Sequence, residues 1–294
     1  MKKTAKAAAL VAAVVLAAGL TACQKKDGAA QQPAGTAKAA KAAKPTPVNE
    51  FSRELTEDSS GVRILEYNGS AKSVVIPAEI EGLPVKEINR RAFYGNETLK
   101  SVTVPDSVEK IGGSAFRDCT ALESVMLGNS VQIIDCDEDW RGAEQGAFQD
   151  CTSLKSIIIP DSVEKIGSHA FQDCTALESV TLGNSVQEIG GSAFYGCTAL
   201  ESVTIPDSVK KIGQIAFSGC TALKSVTLGN SVQEIDVAAF RGCTALQSLT
   251  IPDSLQKIKF VVRSYDGKNN AFKETELPLA TQARLKALGY TDSF

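Results

Sequence analysis

An Ala-Phe pair returns along the whole chain, with its phenylalanine at Phe93, Phe116, Phe148, Phe171, Phe194, Phe217, Phe240 and Phe272. The intervals are 23, 32, 23, 23, 23, 23 and 32 residues, so each long interval is the short one with nine residues inserted. A fixed period of this length requires a repeat architecture. Each unit is one supersecondary element that cannot bury its apolar face alone, and stacking the units gives them a shared core.

Within a coil the apolar residues fall at fixed places: Leu177, Val180, Leu182, Val186, Ile189 and Phe194 in one copy. The segment "SVTL" alternates outward and inward as a half-buried strand does. The "PDS" or "GNS" that follows has turn chemistry. These two turns alternate from Val104 to Leu255, which implies duplication of a two-coil unit. The pattern predicts a mainly β repeat solenoid of eight coils of about 23 residues with one parallel sheet. Coils spaced roughly 4.8 Å apart would make a stack of roughly 40 Å. Exposed strand ends need covers. Residues 51–76 are expected to form an N-terminal strand cap, and "LPLATQARLKALGY" (277–290) a C-terminal capping helix, with Pro278 in its first turn and Gly289 just past its end.

The run C-x-x-L-x-x-V-x-I-P-x-x-V-x-x-I-G-x-x-A-F resembles the BspA-like class of bacterial leucine-rich repeats. "YNGSAKSVVIPAEIEGLPVKEINRRAF" (67–93) is similar to that family's first coil. The resemblance spans roughly residues 62–275. It implies a surface protein that attaches to host extracellular matrix, host receptors or other bacteria, and it supplies no catalytic residue or cofactor.

Ahead of the repeats, Lys2, Lys3 and Lys6 precede the apolar run "AAALVAAVVLAAGL" and then "LTAC". Residues 1–22 read as a signal peptide, too short in its apolar part for a permanent span of about 20 residues. "LTAC" resembles a lipobox, which implies acylation of Cys23 and attachment to a membrane through acyl chains. Gln24, where Asp would retain a lipoprotein in the inner membrane, favours an outer-membrane destination, facing the cell surface or the periplasm. Residues 23–50, rich in Ala, Lys, Gln and Pro, read as a disordered tether. Residues 51–275 form the solenoid with its N-terminal cap, and 276–294 the C-terminal cap. The formal charge of −3 divides into +3 on the first 22 residues and +3 on residues 24–50, leaving −9 on the remainder. An acidic body excludes the basic footprint that nucleic-acid binding needs.

Six cysteines, Cys119, Cys151, Cys174, Cys197, Cys220 and Cys243, share one column of the repeat, and the end coils place Asn96 and Thr275 there. Thiols in a line do not converge tetrahedrally as zinc ligands must. A column open to Cys, Asn or Thr reads as a structural ladder of small groups bonded to backbone. Disulfides between neighbouring coils are the alternative. His169 is the one histidine, and its variable column reads as solvent-facing. Neither a hydrolase motif nor a phosphate-binding loop is present, so no catalytic or metal-binding residue is assigned. The acidic insertion near residues 135–146 lacks the glycine and glutamate of a calcium loop.

That insertion carries Trp140, and the second, near residues 259–270, carries Tyr265 in an apparent hairpin. Both are candidate anchors at the rim of a binding surface. The outward strand columns supply the rest of that surface: Ser179, Thr181, Ser202, Thr204, Ser225 and Thr227. The expected partner is a protein ligand. A periplasmic structural role without a host ligand is the alternative.

Overall fold

The computed structural model describes residues 44–138, 144–258, 272, 274–290 and 294. Cys23, Trp140, Tyr265 and the second insertion lie outside these. The repeats stack as a β-solenoid. The expected sheet is present as a ladder of three-residue strands, from Ser73–Val75 through Ser101–Thr103 to Ser248–Thr250. The pairing is parallel and residue-for-residue, as in Ser202↔Ser225, Val203↔Val226 and Thr204↔Thr227.

The structure adds a second parallel sheet, built from the two-residue strands that follow each turn. Examples are Lys165–Ile166, Glu188–Ile189 and Lys211–Ile212. A sequence window sees only one inward Ile per coil there, too little for strand periodicity; stacking supplies the pairing partners.

Between the second ladder and the next Ser/Thr strand, the Ala-Phe segment turns the chain. Here amides point alternately within the coil and across to the next one. The N–H groups of His169, Phe171 and Asp173 donate to the carbonyls of Gly191, Ala193 and Tyr195 at 2.8, 2.8 and 2.7 Å. Reaching across requires left-handed backbone on either side of the Ala-Phe pair. One such column is Arg91, Ser114, His169, Ser192, Ile215 and Ala238, with φ between 54 and 61°. The other holds Gly95, then Asp118, Asp150 and Asp173, then Gly196, Gly219 and Gly242. Asp and Gly are among the residues that tolerate this region best. In the His169 column the intercoil bonds hold non-glycine residues in a sparsely populated conformation. That column is mostly not the solvent-facing place expected: Arg91 is exposed, but Ser114 and Ala238 are buried and His169, Ser192 and Ile215 half-buried. Its variability reflects a site defined by backbone rather than by side chain.

The core is a column of rings. Phe93 to Phe272 stack at centroid spacings between 4.7 and 5.5 Å, nearly parallel from Phe116 onward. These spacings match the distance between strands and give an offset stack. Both caps extend the column. At one end Phe51 and Tyr67 join it, from strands Phe51–Leu55 and Val62–Tyr67, which pair antiparallel and lead into Leu83–Ile88. At the other, Tyr290 meets Phe272 edge-on at 5.6 Å, and Phe294 follows.

The closing helix α1 (Leu279–Ala287) starts after Pro278 and buries Leu285. Gly289, with φ +97°, ends it. The Tyr290 amide bonds Leu285 O and the Gly289 amide bonds Lys286 O, each at 3.0 Å, the paired bonds of a Schellman turn. The N-terminal edge of the Ser/Thr ladder is met by Thr46, buried within the stretch read as tether. Its N–H donates to Val75 O at 2.9 Å, and its hydroxyl accepts from the Val75 amide at 3.0 Å. No helix among the described residues is long and apolar enough to cross a membrane.

Candidate functional site: the exposed serine and threonine face

Each strand of the Ser/Thr ladder turns its central Val, Ile or Leu inward and its two flanking residues, in most coils Ser and Thr, outward. Ser179, Thr181, Ser202, Thr204 and Thr227 are exposed; Ser225 is half-buried. Register sets serine over serine from Ser156 to Ser248 and threonine over threonine from Thr204 to Thr250. Beside them runs a charged column. Lys100 bonds Glu123 at 2.7 Å and Glu201 meets Lys224 at 3.1 Å. The Lys100 ammonium holds the Glu123 carboxyl below its usual range. These are exposed pairs across neighbouring coils, worth little individually.

Two positions break the threonine column. Met126 and Ile158 stand where Thr103, Thr181, Thr204 and Thr227 stand in other coils, and their side chains are 57% and 67% exposed. Ser124 pairs with Ser156, so Met126 and Ile158, each two residues on, are neighbours. Neither residue is among those the sequence singles out, although the repeat register sends both positions outward. The available signal was the replacement of a small hydroxylated residue by a large apolar one at a position the register sends to solvent.

The first insertion starts elsewhere. Its arms, Cys136–Glu138 and Glu144–Gly146, pair antiparallel and leave the coil after the second-ladder strand Ile133–Ile134. In chain order a turn and the whole second ladder separate that exit from the Ser/Thr strand. The described arms are thus rooted at a different corner of the coil from the serine and threonine columns.

The cysteine column faces inward. All six thiols are buried and free. Each S–H donates to the phenylalanine carbonyl of the preceding coil: Cys119 to Phe93, Cys151 to Phe116 and Cys174 to Phe148, continuing to Cys243 and Phe217, at 3.1 to 3.2 Å. Burial pushes the Cys119 and Cys243 thiols up to about 12 and the other four well above the ordinary value. Reactivity and metal ligation need thiolate, which this environment opposes. The end coils replace the bond in two ways. The Asn96 side-chain oxygen accepts from the Leu99 amide at 3.0 Å, and the Thr275 hydroxyl donates to Phe272 O at 2.8 Å.

His169 sits on the Ala-Phe turn with Nδ1 against Gln172 Oε1, on a different segment from the serine columns. A serine nucleophile needs a base within hydrogen-bond reach. The chemistry this face offers is hydroxyl hydrogen bonding around an apolar pair. Among the described residues, no group of three His, Cys, Asp or Glu could hold a metal ion.

The model of the BspA type leucine-rich repeat region matches in six copies over residues 65–137 and 143–277. No curated protein matches the chain. A solved leucine-rich repeat protein from T. pallidum is 32% identical, with a TM-score of 0.62, over 85% of this chain and 99% of that one. Another from Bacteroides ovatus is 28% identical, with a TM-score of 0.65, over 79% of this chain; the match spans 57% of that longer chain. The registered coils, the ring stack and the matched repeats agree, and the chain belongs to the BspA-type leucine-rich repeat family.

Proposed function

We propose that this protein binds a protein partner through its Ser/Thr face, anchored to the outer membrane by acyl chains on Cys23, and that the partner belongs to the host matrix, a host cell surface or another bacterial surface. The observation that carries the binding reading is the Met126–Ile158 pair. Monomeric surfaces scatter apolar residues singly, whereas a neighbouring pair rimmed by serine, threonine and paired charges is the composition of an interaction patch. The face is chemically mild and offers hydroxyls that bond a partner's backbone. Membership of a repeat family whose folds present extended binding surfaces supports the same reading. Trp140 and Tyr265 remain further candidate contacts.

Two experiments test the proposal. Replacing Met126 and Ile158 by the column's own threonine (M126T/I158T) should weaken binding to an immobilised extracellular-matrix preparation at least tenfold while leaving thermal unfolding in place. Unchanged binding by the variant removes this face from the site. Protease added to whole cells should cleave the protein, and Cys23→Ala should abolish incorporation of labelled palmitate. A protein shielded until the envelope is opened would instead have a periplasmic role.

A further inference from the structure

The two-coil period written in the turns reappears in the spacing of the Ser/Thr ladder. From a PDS coil to the next GNS coil, the ladder is tight. The amides of Val104, Ile159 and Ile205 donate to the carbonyls of Met126, Thr181 and Thr227, each at 2.8 Å. At the other strand end, Glu123, Glu178 and Lys224 donate to the preceding coil at 2.8, 2.9 and 2.8 Å.

From a GNS coil to the next PDS coil, the ladder loosens. Leu228 reaches Thr250 O at 3.4 Å, while no such bond joins Leu127 to Ile158 or Leu182 to Thr204. Lys155 and Glu201 donate back at 3.4 Å, and Gln247 at 3.0 Å. Only Ser124↔Ser156 and Ser179↔Ser202 remain in register across the first two of these steps, whereas the third keeps all three pairs between Ser225–Thr227 and Ser248–Thr250.

The turns account for the alternation. In the tight step, the GNS glycine lies on the proline carbonyl of the coil before it. A Cβ on Gly128, Gly183 or Gly229 would stand 2.3, 2.3 or 2.4 Å from the oxygen of Pro105, Pro160 or Pro206. The aspartates add a cap, Asp106, Asp161 and Asp207 accepting from the amides of Asn129, Asn184 and Asn230 at 2.7, 2.8 and 2.7 Å. The loose step has neither contact. Serine hydroxyls bond the carbonyls of Val131 and Val232 at two of these steps. At the middle one, the buried Ser208 hydroxyl has no hydrogen-bond partner.

The other faces do not alternate in this way. The amides of Gln132, Glu164, Gln187, Lys210, Gln233 and Gln256 donate to the preceding coil at 2.8 to 3.1 Å, and the phenylalanine amides from Phe93 to Phe217 donate to the following coil at 2.7 to 2.8 Å.

We propose that the solenoid is a hinged stack of coil blocks, which flexes by opening its Ser/Thr face at the seams after Met126 and Thr181 while the second ladder and Ala-Phe turns hold as a spine. The first seam runs between the strands that carry Met126 and Ile158, so the most apolar part of the face is also a place where the sheet can widen. This follows from hydrogen bonds alone and stands whether or not that face binds a partner.

Residue-resolved amide exchange of the full chain in deuterated water tests it. The Leu127 and Leu182 amides should exchange about tenfold or more faster than those of Val104, Ile159 and Ile205, with Leu228 between, and the Phe148, Phe171 and Lys210 amides should stay slow. Equal protection of Leu182 and Ile159, or Lys210 exchanging as fast as Leu182, would overturn the hinge. Asp161→Ala, at an exposed position, should move the Ile159 amide toward the Leu182 rate. No change in Ile159 would show that the turn contacts do not define the blocks.

Discussion

The Ser/Thr ladder and the second ladder run through the same coils, yet one loses register at two of its steps and the other is continuous. The strands are not the cause. Ser179–Thr181, Ser202–Thr204 and Ser225–Thr227 have the same sequence, but the first pair of strands keeps one registered residue pair and the second keeps three. What differs is the turn each strand feeds. Glycine over a proline carbonyl and aspartate under an asparagine amide draw two coils together. The inverse order provides neither contact. The second ladder lies one turn further on, next to the ring column, where every step repeats the same Ile-over-Ile and Phe-over-Phe packing. Continuity in a repeat stack is thus set by which contacts lie beside the ladder.

Breaking the spine should have the largest effect, and alkali does so through the thiols. The sign follows from the raised folded-state values: the unfolded thiols ionise near pH 9 while the folded ones stay neutral to about pH 12 for Cys119 and Cys243. The unfolded state therefore loses protons first, and stability falls as pH rises from about 9. Each thiol contributes about 1.4 kcal/mol between pH 8 and 10, so the column together loses about 8 kcal/mol. Denaturant midpoints measured under reducing conditions at pH 8, 9 and 10 should fall steeply, and a Cys197→Ala variant should fall less steeply by one thiol's share.

Phe194→Ala cuts the ring column between Phe171 and Phe217, 5.3 and 5.1 Å away. It should cost about 3–5 kcal/mol, read from chemical unfolding, with loss across both ladders. Gly183→Ala acts on the other side of the comparison. The added methyl meets backbone that cannot rotate away, so the coils must part, at about 1–3 kcal/mol. The 2.8 Å bond from Ile159 should open, which makes the interrupted ladder more interrupted while the spine stays protected. The smallest effect belongs to M126T/I158T, which restores the repeat on an exposed face and should shift stability by less than about 0.5 kcal/mol. A large loss there would mean that the apolar pair supports the sheet.

Much of this molecule could be read from spacing. The coil number, the outward serine and threonine columns, the caps and the inward thiols follow from where Phe, Val and Cys recur, because stacking leaves each repeat position one environment. The second ladder was hidden because two residues carry no measurable period. The left-handed columns were half visible: glycine and aspartate before each cysteine mark one, while the Arg, Ser, His, Ile and Ala of the other mark nothing. The Met126–Ile158 pair was readable as a departure from the repeat. That their positions lie in paired strands of adjacent coils was less plain, since an insertion places them 32 residues apart rather than 23.

The sequence alone determined that the chain stacks, how many times, and which side of each strand faces water, because a period-two strand within a 23-residue period leaves no other way to bury its valines. Tertiary structure decided how firmly each coil holds the next. That depends on the gap between a proline carbonyl and a glycine 23 residues later and on where an aspartate oxygen finds an amide. These are distances between neighbouring coils, and a linear pattern does not contain them.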